Sequence, residues 1–201
     1  MNKIKPSNIF ALLIICLLFQ ACEETVYVPK PRGYPRIVYP TKAYQKFSED
    51  YCAFTFEYPA YATVEQDTSY FDGQAKDDCW FDINIDHFAA KVYCSYVSIG
   101  KNNSFDKLQD DAFTMANEHI VKANYIDEIP LNTKNGVKGM AFDLEGPVAS
   151  PFMFYLTDEE DHFLRGSLYF NTKADPDSLA PVIKFVKEDL SHMISTFKWN
   201  E

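Results

Sequence analysis

Glycine is scarce in this chain. Seven in 201 residues are too few and too dispersed to build a Gly-rich loop around a phosphate. No Gly-x-Ser-x-Gly elbow occurs, and no serine has an evident base beside it. The four histidines, His87, His119, His162 and His192, are widely spaced, and no pair has the spacing of metal ligands. The acidic stretch at residues 158–162 lacks the pattern of a calcium loop and reads as a solvated hairpin turn. No CxxC pair suggests a zinc ribbon or a redox disulfide. Positive charge is short as well: 19 Lys and Arg against 29 Asp and Glu, a formal −10. That balance excludes nucleic acid as a partner and a polybasic grip on anionic lipid. Carboxylates abound, yet nothing singles out two of them as a glycan-cleaving pair. His119 falls on or beside an apolar stripe and reads as a core or boundary histidine. The sequence therefore predicts no catalytic residue, no metal site and no cofactor.

A long apolar run is also missing. A membrane-spanning helix needs roughly 20 apolar residues, and the run at residues 9–19, behind Lys3 and Lys5, is well short of that. Its length suits the apolar core of a signal peptide. It leads into Phe19-Gln20-Ala21-Cys22, where a small residue before cysteine suits the peptidase that processes lipoproteins. Residues 1–21 are thus expected to be removed and Cys22 to become an acylated first residue. It would carry a thioether-linked diacylglyceryl group and an amide-linked chain such as palmitate. At about 0.8 kcal/mol per buried methylene, two or three chains give lasting attachment to a bilayer. Loss of Lys3 and Lys5 takes the formal charge from −10 to −12, so lipid rather than charge is the anchor.

What remains is rich in β-formers: 17 Phe and 13 Tyr within 47% hydrophobic content. Cys16 leaves with the signal and Cys22 is acylated, which leaves Cys52, Cys79 and Cys94 in an oxidising compartment. Cys52 and Cys79 each open a strand-like aromatic run, and they are expected to pair. Cys94, inside a strand, is expected to stay a free, buried thiol.

Residues 22–46 read as an acylated cysteine and a tether, and residues 47–201 as one globular domain. Pro29, Pro31, Pro35 and Pro40 favour polyproline II. At about 3.1 Å per residue, residues 23–40 would reach roughly 55 Å. A stiff solvated spacer is the simpler reading; a docking strip built on Lys30, Arg32, Arg36 and the neighbouring tyrosines is the alternative.

Within the domain, strands are expected at residues 53–58, with 61–65 as a continuation after Pro59, then at 80–86 and 89–97. Residues 103–123 read as a helix capped by Asn103 or Ser104, with an apolar stripe of Leu108, Ala112, Met115, His119 and Ile120 or Val121. Strands at 137–144, 152–157 and 163–171 follow. A closing helix, capped by Asp177 or Ser178, carries Val182, Val186, Leu190, Met193 and Phe197. The fold class expected is α+β: a mainly antiparallel sheet flanked by two main helices. The order resembles the Mog1/PsbP-like arrangement, a topological analogy silent on function. The segment Gly146-Pro147-Val-Ala-Ser150-Pro151 holds two X-Pro bonds and makes a rigid turn. It is either a stiff connection or a partner-contact loop.

Several ordered stretches carry a further resemblance. They are Tyr51-Cys-Ala-Phe-Thr-Phe-Glu-Tyr58, Cys79-Trp80, Ala149-Ser-Pro151, Tyr155-Leu-Thr-Asp158, His162-Phe-Leu-Arg-Gly-Ser-Leu-Tyr-Phe170 and Lys198-Trp199, behind a Pro-Lys-Pro-Arg tether. Together they resemble the gliding motility lipoprotein family GldD of the Bacteroidota. The resemblance implies a cell-envelope lipoprotein needed for gliding and for type IX secretion, with no enzymatic activity and no cofactor. Its partners would be other envelope proteins of that machinery. It matches Cys22 as the acylation site and Cys52 and Cys79 as family positions, and it has no counterpart for Cys94. Glu23-Glu24 only partly resembles a surface-export signal, so the periplasmic face of the outer membrane is the expected location. A glycan or peptidoglycan hydrolase, or a small-ligand carrier, is the competing expectation.

Overall fold

The computed structural model describes residues 36–70, 73–74, 77–172 and 175–200; the signal segment, Cys22 and residues 23–35 of the tether lie outside the described residues. Tyr44–Phe47 (β1), Phe54–Pro59 (β2), Thr63–Gln66 (β3), Ser69–Tyr70 (β4), Gly73–Gln74 (β5), Phe81–Ile85 (β6) and Ala90–Ser98 (β7) precede a helix, Phe105–Asn117 (α1). After a 3-10 turn at Glu118–Val121 come Tyr125–Asn132 (β8), Lys138–Glu145 (β9), Phe152–Thr157 (β10) and His162–Phe170 (β11). Helix Pro176–Thr196 (α2) and Lys198–Trp199 (β12) complete the order. Seven strands form one antiparallel sheet in the order β3-β6-β7-β11-β10-β9-β8, and β1-β2-β12 form a smaller one. The protein is an α+β domain, mostly antiparallel sheet with two main helices.

Alternation explains which face is which. On β6 the buried residues are Phe81, Ile83 and Ile85, with Asp82 and Asn84 between them. The register carries the buried face across the sheet: Phe81↔Cys94↔Gly166↔Phe154 and Ile83↔Val92↔Leu168↔Phe152. Against it pack β1, β2 and the stripe Val182, Val186, Leu190, Met193 and Phe197 of α2 and its C-cap. Aromatic rings dominate the seam, with centroids 4.6 Å apart for Phe47–Phe56, 4.9 Å for Phe54–Phe197 and 5.3 Å for Phe47–Phe81. Phe154 lies across Gly166, where a Cβ would come within 2.2 Å of the ring. Only glycine fits there. A disulfide joins Cys52 to Cys79, with Cα atoms 5.2 Å apart, and ties the approach to β2 to the approach to β6. Cys94 is buried and unbonded, its thiol pushed well up by burial and then by Asp82.

Several elements depart from the sequence expectation. Residues 38–46, read as tether, belong to the compact unit Val38–Glu201. β1 pairs with β2 from Tyr44↔Pro59 to Phe47↔Phe56, a strand too short to announce itself by alternation. β3 does not extend β2 but pairs with β6 in the large sheet. α1 is capped by Ser104 and ends at Asn117, and its buried residues are Leu108, Ala112 and Ala116. β8 has no counterpart among the expected strands; it is an edge strand, exposed along most of its length and interrupted by Pro130, as edges tolerate. The cap of α2 is Asp175, two residues earlier than expected, with a proline in the first turn.

Candidate functional site

The second face of the large sheet is only half covered. α1 lays Leu108, Ala112 and Ala116 over Phe142, Leu144, Met153 and Phe163 at the β9–β11 side. Over β6, β7 and the rest of β11 no helix of the described residues sits, and a groove of about 980 Å³ opens there. Its floor carries Asp82, Asn84, Lys91, Tyr93 and Tyr169, with Arg165 and Met115 at the α1 rim. Lys91 Nζ lies 2.8 Å from Asp82 Oδ2 and 5.3 Å from the centre of the Tyr93 ring. Tyr93 meets Tyr169 edge-on at 5.5 Å, and Arg165 Nη1 donates to Met115 Sδ at 3.2 Å. Burial pushes the Asp82 carboxyl up while the Lys91 contact opposes it. The Asp82 bond, in turn, raises the Lys91 ammonium against its own desolvation. With the two groups at hydrogen-bond distance we treat them as an ion pair. Asp82 and Lys91 of this groove are thus engaged with one another.

A second polar cluster fastens the incoming chain. Asp189 of α2 is 1% exposed, which demands partners. It accepts from Tyr44 Oη at 2.8 Å and from Tyr61 Oη, and Lys42 Nζ lies 3.2 Å away. Lys42 also reaches Glu188 at 2.7 Å and sits 4.6 Å over the Phe185 ring. Tyr39 packs on Phe185 at 4.8 Å, and Tyr44 stacks on His192 at 3.6 Å. Burial, reinforced by Asp189, drives the Tyr61 hydroxyl far above its ordinary range, so it donates and does not ionise. The segment from Tyr39 to Tyr44 is thereby clamped to α2.

The histidines are dispersed among structural tasks. His162 Nδ1 is 2.5 Å from Tyr96 Oη, its ring stacks on Trp199 at 4.9 Å, and its Nε2 lies 4.0 Å from Asp158. Asp158 accepts backbone N–H bonds from Glu160, Asp161 and His162 at 2.9–3.0 Å, closing the β10–β11 turn. Burial works against that carboxylate, but the three donors outweigh it and hold its pKa low. His192 bonds Glu57 at 2.7 Å, His87 bonds the Val38 carbonyl at 2.7 Å, and burial lowers half-buried His119. Among the described residues no three His, Cys, Asp or Glu side chains converge as metal ligands.

The turn at residues 146–151 is packed more deeply than a presented loop would be. Gly146, at φ 119°, runs so close to residues 122–124 that a Cβ would be 2.8 Å from the Lys122 carbonyl oxygen. Val148 enters the α1 core, and Ser150 and Pro151 are buried; Pro147 and Ala149 are what the turn shows to solvent.

One feature escaped sequence reasoning. Ile120 is 64% exposed, Val121 88% and Tyr125 59%, with Ile129 and Met115 also outside. Ile120 and Val121 looked like the tail of a helical stripe. α1 stops at Asn117, before them, and the chain runs on into the edge strand β8, which carries Tyr125 and Ile129. A usable signal was present: Pro130 marks an edge, and the apolar residues upstream of it have no partner element.

The family profile for gliding motility lipoprotein GldD matches residues 24–199. The chain belongs to the GldD family. Its members are lipoproteins of gliding motility, which makes this a lipid-anchored protein of the cell envelope. Among solved structures the chain is similar to cyanobacterial PsbP (CyanoP) from Synechocystis sp. PCC 6803. Identity is 12% over 83% of this chain and 98% of that one, with a TM-score of 0.43. Among curated proteins none matches.

Proposed function

We propose that this GldD-family chain is a non-catalytic lipoprotein, acylated at Cys22, that serves gliding and type IX secretion through protein contacts. Its place is the periplasmic face of the outer membrane. The observation that carries the contact reading is the run of exposed apolar side chains at Ile120, Val121, Tyr125 and Ile129. Apolar groups left in water in one stretch of chain mark a surface that something else covers. The non-catalytic reading draws support from the groove, where Asp82 and Lys91 pair with each other. It also draws support from His87, His162 and His192, each of which is hydrogen-bonded to a neighbouring residue of the fold. The clamp at Asp189 supports the anchored reading, because it fastens the end of the tether to the domain. Pro147 and Ala149 offer a smaller, second contact point.

Replacing the chromosomal gene with a Cys22→Ser copy tests the anchor. The folded domain should leave the membrane fraction, and both colony spreading and motor-dependent secretion should stop. Spreading that survives with the domain soluble would end the anchored-scaffold reading.

A further inference from the structure

We infer that β8 is a docking edge, which takes up an extended segment of a partner protein as an eighth strand of the large sheet. It rests on the protein-contact reading above and names the chemistry of the partner. β8 ends the sheet order, and among the described residues its eight residues, Tyr125–Asn132, pair on one side only, with β9. An edge strand keeps alternate N–H and C=O groups unpaired, and an extended backbone satisfies them best.

The side chains then fix what the incoming strand carries. Register with β9 puts Asp127 opposite Asp143 and Ile129 opposite Ala141, on the face that α2 covers farther in; Glu128 pairs with Phe142 on the α1 face. Asp127 and Glu128 therefore point to opposite faces, and each is exposed. Among the described residues neither makes an ion pair with a cation, and a basic residue directly across the strand is the complementary partner for each. Flanking them are Ile126 on one face and Tyr125 and Ile129 on the other. The matching strand has two adjacent basic residues bracketed by apolar ones. Exposed Ile120 and Val121, just upstream of β8, extend the apolar part of the surface. Pro130 has no N–H to offer, so pairing is anchored over Tyr125–Ile129. A second copy of this chain is the poorer occupant: edge-to-edge pairing would bring Asp127 and Glu128 of two chains of net charge −10 together.

The test uses the full-length acylated protein in detergent micelles and synthetic peptides as probes. TVKKVYT should bind and slow exchange of the outward amides of Tyr125–Ile129 at least tenfold. TVEEVYT, and TVKKVYT with alternate backbone N-methyl groups, should bind at least tenfold more weakly. In the double variant Asp127→Lys with Glu128→Lys the preference should turn to TVEEVYT, with an unchanged unfolding midpoint. Equal binding of all three peptides, protection confined to other amides, or protection of β8 that rises with protein concentration without peptide would each overturn the inference. A Val121→Asp, Tyr125→Asp strain separates the two levels. Lost spreading in that strain, with no peptide binding by the unmutated protein, defeats strand addition alone, whereas normal spreading defeats the contact reading beneath it.

Discussion

The two faces of the seven-stranded sheet are built for different ends. One is sealed by aromatic rings, a second small sheet and the whole length of α2, with Phe54, Phe56, Phe81 and Phe197 almost fully excluded from water. The other is covered by α1 over half its width, with a polar groove beyond it, and the sheet ends at the edge strand β8, whose Tyr125 and Ile129 are exposed. A chain that needed only stability would cover both faces. The asymmetry teaches that stability is concentrated where α2 packs over the sheet centre, which leaves the groove and the edge strand free to meet other molecules at little cost to the fold.

The sharpest way to break this comparison is Phe54→Ala. Phe54 contacts Phe47, Phe81, Phe197 and Trp199, and its truncation should cost about 3–5 kcal/mol in urea unfolding. A loss below 1 kcal/mol would mean that the aromatic seam is not the main support. Next comes the buried carboxylate of the same side. Asp189→Ala strips Tyr44 and Tyr61 of their acceptor and should cost about 2–4 kcal/mol. Proteolysis near Lys42 should also quicken, since the strap loses its fastening; an unchanged digestion pattern would disprove the clamp.

How much of this was legible in the sequence follows from how local each signal is. β6 showed itself because Phe81, Ile83 and Ile85 alternate with polar residues. The stripe of α2 showed itself because Val186, Leu190 and Met193 recur at helical spacing. Asp189 could not be read that way: Tyr44 and Tyr61, which justify its burial, lie more than 120 residues away. The groove was equally hidden. Asp82, Asn84, Lys91 and Tyr93 alternate like any solvent-facing row, and nothing local says that α1 stops short of them. β8 shows little alternation in burial because an edge strand is wet on most sides. The helical reading of Ile120 and Val121 failed because apolar spacing was taken as burial. Cys22 lies outside the described residues, and its acylation rests on the signal pattern.

Two smaller effects sharpen the comparison. Asp158, in the turn at the sheet's end, has its folded pKa held below its ordinary 3.8. A lowered carboxylate stabilises the fold above the unfolded pKa and loses that contribution as pH falls through the folded one. Asp158→Asn should therefore cost about 1–2 kcal/mol at neutral pH. The gap from the unmutated protein should close as pH is taken below 3.8 in thermal melts. A gap that widens in acid would reverse the sign and refute the assignment. The smallest effect belongs to the open face: Tyr93→Ala, at a ring 49% exposed, should change unfolding free energy by about 0.5 kcal/mol or less. A loss rivalling that of Phe54→Ala would erase the distinction between the faces.

The separation of stability from contact is tested most directly by colony spreading measured together with protein abundance and unfolding midpoint in the Val121→Asp, Tyr125→Asp strain. The account predicts a protein that folds, reaches the membrane at normal levels and melts within about 2 °C of the unmutated one, in cells that no longer spread. Normal spreading, or spreading that falls only as far as abundance falls, would contradict it.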